Sequence, residues 1–279
     1  MPLHIKESLK EKENLTVHPT LNASLSYFKQ LRLSAHEVVS VQELDIELLC
    51  VVLSGNVTIS VGDQVFNSVG QRKDIWSGKA DSVYSGTNKK ITITAGAAPS
   101  EVAIAGALCK KSYEAFRITP DDVHMVDVGS VETHSRRRIF HILGQNAAGK
   151  AGNLLVSELY ADPGCWSGYP PHKHDTERPP EETDFEEVYH YRFNPETGFG
   201  AQFCYDAIAM SQVVKTEHGD SFLVDKGYHH TVTSPGHSSY IFTILAGRHQ
   251  RSLIQFFEPK HTHLMSKIPG IQAMRDKFK

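Results

Sequence analysis

The sequence predicts an all-β protein built from two small sandwich or barrel units, and three observations support that. Short runs rich in Val, Ile and Thr recur at close spacing between turn signals. No helical pattern of ten or more residues occurs across residues 36–118. After a break at Thr119-Pro120-Asp121-Asp122 the same strand rhythm resumes. With 279 residues, 40 % of them hydrophobic and 22 % charged, the chain can bury a sizeable core, and its composition excludes disordered, collagen-like and coiled-coil classes.

The elements follow in chain order. Glu47 to Leu53 is an apolar run closed by Gly55-Asn56, and Val57-Thr58-Ile59-Ser60-Val61 is β-branched. Gly62-Asp63 is a two-residue turn signal that leads into Gln64-Val65-Phe66. Lys90 to Thr94 and Glu101 to Ala105 complete the first unit, and a linker is expected over Tyr113 to Val123. In the second half, strands are expected at Leu154 to Tyr160, Glu187 to Phe193, Phe199 to Tyr205, Gln212 to Thr216, Ser221 to Val224, His230 to Thr233 and Tyr240 to Ala246. Asn194-Pro195, His218-Gly219-Asp220, Lys226-Gly227 and Ser234-Pro235-Gly236 separate them. Strand rhythm alone, without a clear sequence repeat, points to two similar units. The last ten residues suit one short turn of helix.

A formal charge of −3 gives no electrostatic footprint for nucleic acid. The run Arg136-Arg137-Arg138 reads as solvated surface or a single anion contact. Cysteines at 50, 109, 165 and 204 form no CxxC pair, and Cys50 and Cys204 sit in apolar runs, so buried free thiols are expected. The opening MPLHIKESLKEKENL alternates charges without an apolar core, so no secretory signal is expected. No apolar stretch is long enough to span a membrane, and the cytoplasm is the expected compartment.

Histidine is the unusual count: 16, of which only His4, His18 and His36 precede residue 120. Any chemistry by imidazole is therefore expected in the second half. There, Tyr169-Pro170-Pro171 precedes His172-Lys173-His174-Asp175. The prolines hold the chain extended, so His172 and His174 point to one face, with Cα atoms roughly 6.6 Å apart, and Lys173 points to the other. In Phe185-Glu186-Glu187-Val188-Tyr189-His190-Tyr191 a carboxylate inside an aromatic strand needs a partner or a metal. Glu187 shares its face with Tyr189 and Tyr191, which favours it over Glu186. Gly219-Asp220 and then Gly227-Tyr228-His229-His230 bring a further imidazole to a strand entrance. Three imidazoles and a carboxylate suit Zn, Mn, Fe or Ni. His261-Thr262-His263 is also HxH, but no Glu-bearing strand follows it, and it reads as an exposed tail.

The order strand, HxH, Glu, Gly-x-His resembles the cupin arrangement. The stretches Pro170 to Asp175, Glu186 to Tyr189, Gly198-Phe199 with Gln202 and Tyr205, Gly227-Tyr228-His229 and Ala246-Gly247 resemble the 5-deoxy-glucuronate isomerase family of inositol catabolism. In the first half, Trp76 to Asp81 and Ile118 to Val123 resemble the same family, as does Arg138 followed by His141-Ile142-Leu143. This resemblance implies a bicupin, two jelly-roll barrels in tandem: a metal-free N-terminal cupin over 20–118 and a metal-binding C-terminal cupin over 119–262. It implies His172, His174, Glu187 and His229 as ligands of one divalent ion, Zn, Mn or Fe. It implies a small-molecule sugar acid as substrate and an aldose–ketose isomerisation of 5-deoxy-D-glucuronate to 2-deoxy-5-keto-D-gluconate. The insert Thr176 to Glu186 favours this family over its sister family of pectin breakdown. Tyr189 and Tyr205 are the candidate proton donors. Lys173, Arg192, Gln202 and Tyr228 are candidate substrate contacts, with Arg138 a further candidate cation, although strand alternation turns Lys173 and Arg192 away from the ligands. His190, His230 and the run Arg248-His249-Gln250-Arg251 depart from the family pattern. Exposed sheet edges give a route to a homo-oligomer. A cupin dioxygenase with the same ligands and a non-catalytic sugar-acid-binding cupin are the alternatives.

Overall fold

A computed structural model describes residues 2–6, 13–206, 208 and 211–278. It is almost wholly β and divides into two compact units. One comprises the described residues of Ser8–His124 together with Ile142–Leu155; the other comprises those of Met1–Glu7, Met125–His141 and Val156–Lys279.

In the first unit, a six-stranded sheet runs Phe116–Ile118, Asp81–Ser85, Ile46–Ser54, Ser100–Leu108, Ser26–Leu33, Glu13–Val17. A four-stranded sheet runs Val38–Val41, Ile91–Ala95, Val57–Val61, Gln64–Val69. Alternation decides which side chains enter. Val57, Ile59 and Val61 are buried while Thr58 and Ser60 are half-exposed, and Ile91, Ile93 and Ala95 repeat the pattern. Ile46–Ser54 lies between Ser100–Leu108 and Asp81–Ser85 and is buried along almost its whole length. Gly62-Asp63 joins two strands that pair with Val61 opposite Gln64, and Gly62 takes φ +55, which costs glycine little. The two sheets close on an apolar filling that includes Tyr27, Leu31, Leu48, Val52, Ile59, Val83 and Ile104.

In the second unit, a seven-stranded sheet runs Leu3–Ile5, Ser221–Val224, Phe185–Asn194, Ser238–Gly247, Leu154–Ala161, Arg137–Leu143, His124–Val128. A five-stranded sheet runs Ser211–Glu217, Phe199–Tyr205, Tyr228–Thr233, Trp166–Lys173, Phe256–Phe257. Eight strands counted in chain order from Ser26–Leu33, and eight from Leu154–Ala161, occupy the same places: 6-3-8-1 in one sheet and 2-7-4-5 in the other. This shared order is the jelly-roll duplication expected from strand rhythm. Where Phe185–Asn194 carries Glu187, the matching strand Ile46–Ser54 carries Leu48, by the pairing of each with the last residue of its neighbour, Val224 or Ser85.

Several elements escaped the sequence reading. Ser26–Leu33 is interrupted by Lys29, Gln30 and Arg32, and Arg137–Leu143 opens on two arginines, so neither shows a clean apolar run. Leu3–Ile5 is only three residues long, and its partner lies more than two hundred residues away, as Leu3 pairs with Leu223. The expected linker is partly ordered structure. Phe116–Ile118 pairs with Asp81–Ser85, and Pro120–Asp122 is a short 3-10 turn capped reciprocally by Thr119 and Asp122. The C-terminal helix Ile271–Phe278 is the one α-helix among the described residues. No helix among them is long and apolar enough to cross a membrane. All four cysteines are free and buried, and burial pushes the Cys50 and Cys204 thiols up to about 12.

Candidate metal centre

Three strands of the second unit converge on one place. Trp166–Lys173 ends at the HxH segment, Phe185–Asn194 carries Glu187, and Tyr228–Thr233 carries His229. His172 stands opposite His229 in the ladder, so the five-stranded sheet supplies those two imidazoles, and the seven-stranded sheet supplies Glu187. Ligand atoms of His172, His174 and His229 all lie within 4.8 Å of one another, and all three residues are buried.

Backbone carbonyls fix the ring orientations. The Nδ1–H of His174 donates to the Phe185 carbonyl at 3.0 Å, that of His229 to the Gly227 carbonyl at 3.0 Å, and that of His172 to the Pro170 carbonyl at 3.3 Å. Each ring is therefore held in the tautomer that presents Nε2 to the centre. Glu187 Oε2 lies 2.9 Å from His174 Nε2 and 3.0 Å from His229 Nε2. The side-chain amide of Gln255 donates to His172 Nε2 at 2.9 Å. Asp175 ties the two ligand-bearing segments together: it follows His174 directly, and its Oδ2 accepts the Gly227 N–H at 2.8 Å. Gly227 has φ +93 at this turn, a conformation that costs glycine little.

The electrostatics fit a cation site. Burial opposes ionisation of Glu187, but the Nε2 atoms of His174 and His229, which donate to it when those rings are protonated, outweigh it and hold the carboxyl well below the usual carboxylate range. Burial, reinforced by the neighbouring His229 and His174, drives His172 well below the ordinary imidazole range, so it is neutral at pH 7. For His174 burial also disfavours charge, yet the bond to Glu187 raises it. Three inward Nε2 atoms and one carboxylate, in a buried cluster fixed from behind, fit a divalent ion.

A cavity opens beside the cluster. Its wall includes His172, Glu187 and Tyr189 of the expected site. Burial, then the Glu187 charge, raises the Tyr189 phenol well above its ordinary value, so Tyr189 keeps its O–H at neutral pH. The other expected residues are not among the lining. The Tyr205 hydroxyl donates to Glu258 at 2.6 Å, and its ring packs at 5.8 Å from that of Tyr228. Gln202 accepts from the Tyr191 hydroxyl and donates to the Phe203 carbonyl. Lys173 is engaged with Asp175 and Glu182, and Arg192 donates to His190 Nε2 at 3.1 Å. Arg138 is exposed and lies 5.9 Å from the Tyr160 ring. Glu186 is buried one residue before Glu187, outside the cavity lining. His261 and His263 sit on a short 3-10 helix, Pro259–Leu264, and do not join the cluster of His172, His174 and His229.

Gln255, Phe257 and Arg137 are among the lining residues that the sequence does not single out. Gln255 and Phe257 come from the C-terminal segment beyond the last expected strand, where Phe256–Phe257 forms an edge strand against Trp166–Lys173. The run Arg136-Arg137-Arg138 reads in sequence as solvated surface or a single anion contact; alternation along Arg137–Leu143 turns Arg137 and Ile139 inward and Arg138 outward.

The chain matches the model of the KduI/IolB family over residues 3–264. It is 31 % identical over 230 residues to a 5-deoxy-glucuronate isomerase of Listeria innocua, an alignment that covers 81 % of this chain and 83 % of that one. It is 33 % identical over 234 residues to a protein of the same name from Bacillus licheniformis, again covering 81 % of this chain and 83 % of the other. Among solved structures, an IolB-like protein from Salmonella typhimurium superposes with a TM-score of 0.85 at 26 % identity, covering 94 % of this chain and 99 % of that one. An oxalate decarboxylase of Lactobacillus farciminis superposes with a TM-score of 0.64 at 9 % identity, covering 100 % of this chain and 96 % of that one, a likeness of fold alone.

Proposed function

The chain belongs to the KduI/IolB family, and on that premise we propose that it isomerises 5-deoxy-D-glucuronate to 2-deoxy-5-keto-D-gluconate, a step of inositol catabolism. The observation that carries this reading is the buried His172–His174–His229–Glu187 cluster beside a cavity that His172 and Glu187 line, in a chain whose curated relatives bear that isomerase name.

The reaction moves one proton from C2 of the aldose to C1 and a second between the two oxygens, with no net redox change. His172, His174, Glu187 and His229 would hold one divalent ion, Zn, Mn or Fe, which when bound supplies Lewis acidity to the carbonyl and the adjacent hydroxyl. The remaining tasks belong to the chain. The Tyr189 phenol, kept protonated by burial and by Glu187, can donate a proton to a developing oxyanion and take it back. Tyr205 donates to Glu258 and does not line the cavity, so of the two tyrosines Tyr189 is the better placed proton donor. Leu159, Leu245, Leu253 and Phe257 line the wall with apolar surface that restricts water around the reacting carbons. We assign metal binding to the C-terminal cupin, expected from sequence over 119–262, and a metal-free scaffold role to the N-terminal cupin, expected over 20–118, which carries Leu48 at the place of Glu187. We place the enzyme in the cytoplasm and leave open sheet edges as its route to a homo-oligomer.

The test is anaerobic turnover followed by NMR, on protein stripped of metal and then reloaded with Zn, Mn or Fe(II) in turn. Metal-dependent conversion of the aldose to the ketose without oxygen is expected. Turnover that requires oxygen would instead assign the same ligands to a dioxygenase, and absence of product with every ion would overturn the isomerase reading.

A further inference from the structure

We propose that Arg137 is the specificity residue of this site, the group that binds the carboxylate of the sugar acid. The proposal rests on the isomerase reading for the identity of the substrate, and on geometry for the residue. Arg137 is 1 % exposed and heads the largest side chains that are fully buried. Its Nη1 donates to the Ser135 carbonyl at 2.8 Å and its Nη2 to the Tyr169 carbonyl at 2.9 Å, while the buried Nε has no partner. No carboxylate among the described residues lies within ion-pairing distance of it. A buried guanidinium without a counter-ion is costly, and the cost is offset when an anion arrives. Arg137 lines the same cavity as His172, Glu187 and Tyr189, so an anion that reaches it shares the space in which the metal ligands act.

The other cations do not compete. Lys173 is neutralised by Asp175 and Glu182, Arg192 is bonded to His190, and Arg138 is exposed. The substrate presents its reacting carbons at one end and its carboxylate at the other, and a planar fork of N–H donors is the side chain that matches a carboxylate. Arg137 would thus separate a uronic acid from the neutral aldose of the same shape.

The experiment compares kcat/KM of the metal-loaded protein for 5-deoxy-D-glucuronate and for the neutral counterpart with CH2OH in place of the carboxylate. The wild type is expected to prefer the uronate by roughly 30- to 1,000-fold. In Arg137→Met that preference collapses, mainly through KM for the uronate, while turnover of the neutral aldose and metal content hold; Arg137→Lys recovers part of it. Equal turnover of both sugars by the wild type, a measurement that needs no variant to fold, overturns the proposal. So does an equal loss on both sugars in Arg137→Met. If the wild type turns over neither sugar, the isomerase reading fails, and calorimetry then decides on Arg137 alone. Carboxylate-dependent binding of glucuronate over glucose that vanishes in Arg137→Met supports the assignment, and binding indifferent to the carboxylate or to the substitution overturns it.

Discussion

Glu187 lies in a strand with Val188, Tyr189 and Tyr191 as neighbours, all buried, and a charge there is tolerated because two imidazoles share one of its oxygens. Glu187→Gln keeps the shape and removes the charge. It is expected to lower metal affinity by roughly 10- to 100-fold or more, read by metal content after dialysis, and an unchanged content would remove Glu187 from the ligand set. Tyr189→Phe leaves the ligands intact and is expected to reduce kcat by roughly 10²- to 10⁴-fold at full metal occupancy; a rate within a few-fold of wild type would assign the proton transfer elsewhere. At this scale the sequence was most legible where spacing and alternation act together. The HxH pair, Glu187 over Glu186, and the outward turn of Lys173 and Arg192 all follow from a period of two. A run of three arginines reads as solvated surface or a single anion contact, and without the strand beneath it nothing singles out Arg137; Gln255 is hidden because it lies in a segment without strand rhythm.

The centre depends on how its elements are joined. Asp175 accepts from Lys173, from Thr176 and from the Gly227 N–H, and so pins the end of the HxH strand to the turn that delivers His229. Burial raises its pKa, but those hydrogen bonds outweigh it and lower the carboxyl to about 2. A carboxyl depressed in the folded state stabilises above its unfolded value near 3.9 and loses that contribution as pH falls toward about 2. Asp175→Asn is therefore expected to cost about 2 kcal/mol at pH 7, a difference that shrinks through this acid window, as urea unfolding at several pH values will show; a pH-independent difference would contradict the linkage. In the first unit Glu47 has a comparable tying role. It accepts the backbone N–H groups of Gly152, Asn153 and Leu154 and the Tyr84 hydroxyl. Glu47→Leu strands those buried donors and is expected to destabilise the unit by at least about 3 kcal/mol, measured by chemical denaturation. Such ties were not legible in the sequence, since Glu47 and Gly152 are brought together only by the tertiary fold. The strands themselves were legible wherever an apolar alternation ran uninterrupted.

The molecule as a whole repeats one eight-strand order twice, and it has spent the two interiors differently: one is filled with aliphatic side chains, the other holds the imidazole cluster and the cavity. The histidine count, thirteen of sixteen after residue 120, announced that difference before any fold was known. Each unit has one tryptophan, Trp76 in the first and Trp166 in the second, where it packs near Tyr169, Phe203 and His230. Chelation is expected to lower the unfolding midpoint reported by Trp166 in a Trp76→Phe background, with a loss of about 2.7 kcal/mol for an ion present at a hundredfold over its Kd, and to leave the Trp76 signal of Trp166→Phe in place; a shift of both would place the metal's effect on the whole chain. The account stands or falls most directly on one NMR time course: 5-deoxy-D-glucuronate with protein carrying one divalent ion per chain, in an oxygen-free tube. The account predicts quantitative appearance of 2-deoxy-5-keto-D-gluconate, abolished by Glu187→Gln. Unchanged aldose in the presence of fully metallated wild type would contradict it.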